Sequence, residues 1–340
     1  MKQKGFFDET DVLKSLSELG DPLEKLNKLI EWDLFKGLLK RTLKKEPQGP
    51  GGRPPFDYVM MFKILILQKL YAISDDQTEY QITDRLSFRR FLGLALYDTV
   101  PDAKTIWLFR ENLNQANVFD SLFYRFVNQL EMKGIISHSG SIVDATFVDV
   151  PRQRNSREEN KQIKAGKTPE NWENKPNKKR QKDVDARWMT KNKERHYGYK
   201  DHVKVDKKSK IITRFSVTSA EVHDSQELKN LVDKKDKVLY GDSAYTGEKI
   251  QACISKRTKN RIHEKGYRNH PLTKTQKRNN TAKSRIRARV EHVFGTMTNS
   301  MGGIIVRSIG IIRAEGNIAL MNLPYNIKRY AYIMEARSYA

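Results

Sequence analysis

Ser141-Ile-Val-Asp-Ala-Thr-Phe-Val148 and Lys237-Val-Leu-Tyr-Gly-Asp-Ser-Ala-Tyr245 each set one aspartate, Asp144 and Asp242, inside an apolar, strand-like run. A carboxylate inside such a run is costly unless it is paired or binds a metal. A third acid, Glu291, lies in the most basic helical pattern of the chain, Ser284-Arg-Ile-Arg-Ala-Arg-Val-Glu-His-Val-Phe-Gly295. The 340 residues carry 64 Lys and Arg against 41 Asp and Glu, a formal net charge of +23. Three strategically placed acids in a polycation point to a metal site that works on a polyanion, and so to metal-dependent cutting and joining of nucleic acid.

The run around Asp144 opens an alternation of elements. A hairpin follows, His196–Val205 and Ile211–Thr218 around the polar turn Asp206–Lys210. Then come a short helix at Ser225–Val232, the strand ending near Asp242, a helix near Glu248–Ile254, a strand near Arg261–Glu264 and the helix of Glu291. An antiparallel hairpin joined to strand–helix alternation predicts an α/β domain, a mixed sheet covered by helices, over residues 134–335. Residues 151–195 hold 15 Lys and Arg against 7 Asp and Glu and few apolar side chains, so they read as a flexible basic insertion that orders on a partner.

Residues 1–133 read as an all-helical domain for DNA binding or dimerisation, with apolar spacing such as Leu13, Leu16, Leu19 and Leu23, Leu26, Leu29. Gln48–Pro55 is a stiff linker whose Gly-Arg-Pro core would also suit an A·T-rich minor groove. Arg85, Arg89, Arg90 and Arg110 would supply phosphate contacts in a helix-turn-helix, and a plain packing module fits the same pattern. The single cysteine, Cys253, excludes an internal disulfide and thiolate zinc sites. No apolar leader or bilayer-length run is evident, and the chain reads as cytoplasmic, associated with the nucleoid and not with a membrane.

Phosphodiester cleavage needs an in-line nucleophile and a stabilised leaving oxygen. Two divalent ions about 3.5–4 Å apart serve both needs. Two aspartates and a glutamate are the hard oxygen ligands that magnesium prefers, and manganese would substitute. On a helical wheel Ile286, Val290, Val293, Phe294 and Met297 form one apolar stripe, with Arg287 and Glu291 together on its flank. Residues 256–289 contain 13 Lys and Arg and one acid, Glu264, so this block reads as the grip on the DNA backbone. Lys274, Lys277, Arg278, Lys283, Arg285 and Arg289 are its candidate phosphate contacts.

The chain resembles the bacterial insertion-sequence transposases with an Asp-Asp-Glu site, specifically the fifth insertion-sequence family. The resemblance covers roughly residues 50–330. It rests on the order of Gly52-Arg-Pro-Pro-Phe-Asp57, Asp84-Arg-Leu-Ser-Phe-Arg-Arg-Phe-Leu-Gly93, Pro101–Ile106 with Phe109-Arg110, Ile142-Val-Asp-Ala-Thr146, Glu221-Val-His-Asp-Ser225, Gly241-Asp-Ser-Ala-Tyr245 and Arg289-Val-Glu-His-Val-Phe-Gly295. It implies a ribonuclease-H-like catalytic fold, with Asp144, Asp242 and Glu291 as catalytic and metal-binding residues and Arg287 as the arginine four before the glutamate. It also implies magnesium-dependent cleavage of double-stranded DNA at the inverted-repeat ends of an element and strand transfer into target DNA. A homodimer on DNA would bring two ends together. A nuclease or resolvase on the same fold without strand transfer, and a catalytically silent DNA-binding relative, are the alternatives.

Ser284 and Thr298 stand where the family often has tyrosine and lysine; the phosphate contact of that lysine would pass to Arg307 or Arg313. His223 and Asp224 match a family pair that would orient a metal ligand, or else form a capped turn. Tyr245 offers packing or a stacking face for a flipped base. His292 points about 100° away from Glu291 on the wheel and reads as structural.

Overall fold

The computed structural model describes residues 8–44, 54–191 and 193–338. The Gly-Arg-Pro stretch at 52–54 begins outside those residues. The chain divides into two compact units: residues 1–128, 300–302 and 320–340, and residues 129–299 and 303–319. Residues 320–335, expected in the second unit, belong to the first instead. Leu320, Met321, Leu323, Tyr325, Ile327 and Tyr330 are buried there, and Tyr330 meets Phe126 edge to face at 6.2 Å.

The first unit is helical: α1 Asp8–Glu18, α2 Pro22–Leu29, α3 Asp33–Leu43, α4 Tyr58–Tyr71, α5 Asp75–Asp84, α6 Leu86–Leu92, α7 Ala103–Gln115 and most of α8 Phe119–Met132. Helix starts follow local chemistry. Asp21, Asp57 and Asp102 accept from the first turns of α2, α4 and α7, and Ser74 with Gln77 forms a capping box on α5. α4 is apolar on most sides and largely buried.

Three of the four arginines expected on phosphates serve this core instead. Arg89, 4% exposed, donates to the carbonyls of Ala95, Leu96 and Asp98. Arg90 pairs with Asp21 and binds the Leu13 carbonyl, and Arg110 forks onto Asp75. Buried guanidinium groups need such partners, and the sequence pattern does not distinguish them from exposed ones.

The second unit is built on a mixed sheet of β1 Ser141–Asp149, β2 Arg187–Lys191, β3 Glu194–Asp206, β4 Ile212–Ser219, β5 Val238–Tyr240 and β6 Lys259–Asn260. β3 is its centre. β1 runs antiparallel along one edge of β3, and β2 and β4 share the other edge. β5 lies parallel to β1, and β6 parallel to β5. The sheet with its helices has the ribonuclease-H-like fold, preceded by the helical N-terminal region. The register is tight at Gly198, where φ is +148° and a Cβ would sit 2.2 Å from the Val148 carbonyl oxygen. Only glycine fits there.

The 151–195 segment departs from expectation. It carries α9 Arg157–Lys164, a 3-10 turn at Glu170–Trp172 and α10 Pro176–Arg180 before β2. One buried carboxylate organises it: Glu159 accepts from the indole N–H of Trp172 at 2.7 Å, from Lys178 Nζ at 2.5 Å and from Asn171 at 3.1 Å. Asp183 likewise accepts the Tyr199 hydroxyl at 2.8 Å. Polar networks around two aromatic rings order a stretch whose apolar content is too low to do so.

After β4 a 3-10 turn, Asp224–Glu227, leads into α11 Leu228–Leu231; α12 Glu248–Gln251 follows β5. α13 is Lys274–Ser300, and α14 Ile311–Ser338 closes the described chain. Val290, Val293 and Met297 are buried along α13, as the stripe predicts. Among the described residues no helix is long and apolar enough to cross a membrane.

Candidate active site

Asp144 and Asp242 are brought together by strand register. Ile142 pairs with Tyr240 in the parallel β1–β5 ladder, so two residues further Asp144 stands level with Asp242. Asp242 leaves β5 as the cap of a 3-10 turn, its Oδ1 accepting from the Ala244 N–H at 2.8 Å. The chain can pass this point because Gly241 has no side chain. A Cβ there would lie 3.1 Å from Val143 Cγ2 and 3.2 Å from the Tyr245 ring.

Arg287 reaches Asp144 from α13, Nε to Oδ2 at 3.2 Å, with the Asp144 side chain 14% exposed. Burial pushes the Asp144 carboxyl above the usual carboxylate range, and the negative charge of Asp242 pushes the same way. The Arg287 guanidinium and the Ala145 N–H act against that rise. Asp144 is thus a largely buried carboxylate whose one cationic partner does not fully offset its burial.

Glu291 lies one turn beyond Arg287 on α13 and is exposed. Among the described residues no three His, Cys, Asp or Glu side chains form a group able to hold a metal ion.

His223 and Asp224 separate in role. His223 caps the following turn, accepting from the Ser225 N–H. Asp224 is buried and accepts from Lys200 Nζ at 2.7 Å. Tyr245 is 1% exposed, so it packs and has no face for a base. Burial, then Asp144, Asp224 and Asp242, push its phenol well above the ordinary tyrosine value.

Of the six basic side chains expected on DNA, Lys274, Lys277, Arg278, Arg285 and Arg289 are exposed on α13. Arg289 also donates to the Lys207 carbonyl at 2.7 Å. Lys283 is not available in the same way: its ammonium, 11% exposed, is bonded to the Ile262 carbonyl and to Glu264. A lysine one turn before Arg287 clamps the β6 loop rather than reaching outward. Arg313, considered as a substitute phosphate contact, donates to the Ile309 carbonyl.

Sequence reading missed the residue that completes this row. The β5–β6 ladder continues past β6, with the N–H of His263 donating to the Gly241 carbonyl at 3.0 Å. Leu239 pairs with Asn260, so His263 stands level with Asp242, on the side away from Asp144. Its Nε2 lies 3.3 Å from the Ser284 hydroxyl on α13. No local pattern announces such a residue; it becomes visible only when two ladders are read together.

Comparison with known families now bears on this geometry. Residues 11–112 match the family described as "Transposase domain (DUF772)", and residues 136–327, more than half of the chain, match "Transposase DDE domain". The chain belongs to the DDE transposases. As a DNA transposase it is an enzyme that cuts and joins DNA, in a family that generally uses divalent metal. Its chain is also similar to a transposase seen in a "Cryo-EM structure of piggyBac transposase synaptic complex with hairpin DNA (SNHP)". That match has 11% identity and a TM-score of 0.41, and covers 93% of this chain and 74% of that one.

Proposed function

We propose that this transposase cuts DNA at the inverted-repeat ends of its own insertion element and joins the ends to target DNA, with Asp144, Asp242 and Glu291 as the carboxylates of a two-ion site. The observation that carries the reading is that Asp144, on β1, and Asp242, just past the end of the parallel β5, come level by that ladder's register, with Arg287 on Asp144. The donor set fits a hard divalent ion: it offers only carboxylate oxygens, and its buried charge is what a cation would relieve. Asp144 and Asp242 would hold magnesium or manganese, and Glu291 would join them from α13. When bound, the ions supply nucleophile activation and leaving-group stabilisation.

The protein's own part is positional. Arg287 orients the Asp144 carboxylate from one side and opposes the rise that burial imposes on it. The exposed cations Lys274, Lys277, Arg278, Arg285 and Arg289 run along the helix that carries Arg287 and Glu291, and would track the phosphate backbone. Bringing two element ends together needs two active sites, so a homodimer on double-stranded DNA is the working form this reading requires.

The test uses a plasmid carrying the gene's own flanking DNA, with magnesium. Wild type should cut at the element ends and transfer the cut 3′ ends to a target plasmid. Asp144→Asn, Asp242→Asn and Glu291→Gln should each abolish cleavage while keeping DNA affinity. Cutting without joining would favour a nuclease or resolvase. DNA binding without cutting would favour a silent relative. Substantial cleavage by any of the three variants would remove that residue from the site.

A further inference from the structure

His263 sits on a loop beside Asp242 that is tied down on both sides of a half-buried ring. On one side, the Ile262 side chain is 5% exposed within the apolar cluster of Val143, Leu228, Leu239 and Tyr245, and its carbonyl accepts from Lys283 Nζ at 3.0 Å. On the other, Glu264 exchanges two hydrogen bonds with the Asn280 side chain, at 3.0 and 2.9 Å, and its carboxylate meets Lys283 at 3.2 Å. The backbone of His263 is itself laddered onto Gly241, the residue before Asp242. Three successive residues are thus locked against α13 and β5.

The ring completes a row. By ladder register Asp144 on β1, Asp242 just past β5 and His263 just past β6 stand level. Arg287, Lys283 and Asp242 all act electrostatically on the imidazole. Burial, then the two cations, hold it below the ordinary histidine value, with Asp242 opposing. The Ser284 hydroxyl lies 3.3 Å from Nε2; when that hydroxyl is the donor, the ring proton sits on Nδ1. A ring N–H beside Asp242, Arg287 and Lys283 is placed to meet an anionic oxygen, and its fixed backbone makes it preorganised.

We infer that His263 is a further catalytic residue of the strand-cleavage site, donating from Nδ1 to a non-bridging oxygen of the scissile phosphate and so fixing that phosphate opposite Asp242. Ser284 is the positioning residue that sets the ring's tautomer. The inference rests on the reading of Asp144 and Asp242 as the cleavage site.

The experiment compares wild type, His263→Ala, His263→Asn, Ser284→Ala and Asp242→Asn, as full chains, on the plasmid carrying the gene's flanking DNA. Single-turnover cleavage, DNA affinity and melting temperature are read for each. His263→Ala should cleave about a hundredfold more slowly, the usual loss of one preorganised donor, at unchanged affinity and melting temperature. His263→Asn, whose amide N–H takes the place of Nδ1–H, should regain most of that rate, and Ser284→Ala should fall between. The inference is overturned if His263→Ala cleaves at the wild-type rate. It is also overturned if its loss follows affinity or melting temperature, or if asparagine restores nothing. Asp242→Asn separates the two readings: should it cleave normally, the underlying site fails. Should it be inactive while His263→Ala is normal, only the role of His263 fails.

Discussion

Lys204 is the place where one substitution should cost the catalytic unit most. Its side chain is 2% exposed and that of Asp236 is 1% exposed. The ammonium lies 3.1 and 3.2 Å from the two Asp236 oxygens and 3.0 Å from Asp233. Asp236 is a node: it accepts from Ser141 at the start of β1, and its carbonyl accepts from Thr258 just before β6. Unit charges about 4 Å apart at an effective dielectric of about 20 attract by about 4 kcal/mol. Lys204→Met removes that attraction and leaves Asp236 buried, with only the Ser141 hydroxyl and the Asp233 N–H as partners.

The expected cost is about 3–5 kcal/mol, the range for breaking a buried pair from one side. Lys204→Met with Asp236→Asn should recover most of it, because the stranded charge is gone. Urea unfolding in a Trp32→Phe, Trp107→Phe background reports this unit alone, through Trp172 and Trp188. A single variant within about 1 kcal/mol of its parent, or a double variant as unstable as the single, would refute the reasoning.

Glu159→Gln should destabilise the 151–195 segment at pH 7 by about 2 kcal/mol, since a charge-assisted bond to Lys178 is lost. Lys178 and Trp172 hold the Glu159 carboxyl down at about 2, from 4.5. A depressed carboxylate contributes stability above its unfolded value and loses it as pH falls, so the gap between variant and wild type should close from pH 4.5 toward 2. Limited proteolysis at a series of pH values reads this, and a gap independent of pH would contradict it. On α13, neutralising Lys274, Lys277 and Arg278 to Gln should flatten the log-affinity versus log-salt slope by roughly 0.9 per lost phosphate contact. Lys283→Gln should instead lower the melting temperature with little change in slope, because its ammonium is spent on Ile262 and Glu264; equal slope changes for Lys283 and Lys274 would argue against this division.

The sequence by itself determined the strand–acid pattern, the β3–β4 hairpin and the apolar stripe of α13. Each is local: an alternation of two, a polar turn, or a helical period puts the same residues on one face wherever the element lies. The level placement of Asp144 with Asp242 was half legible, as two acids in apolar runs, but their register depends on the β1–β5 ladder. Tertiary structure alone decided the rest. It turned Arg89, Arg90, Arg110 and Lys283 inward, because a long cationic side chain looks the same in sequence whether it meets a carbonyl or solvent. It ordered residues 151–195 through Glu159 and Asp183, whose partners lie 13 and 16 positions away. It set His263 beside Asp242 across 21 residues of chain, a neighbour relation that exists only once β5 and β6 have paired.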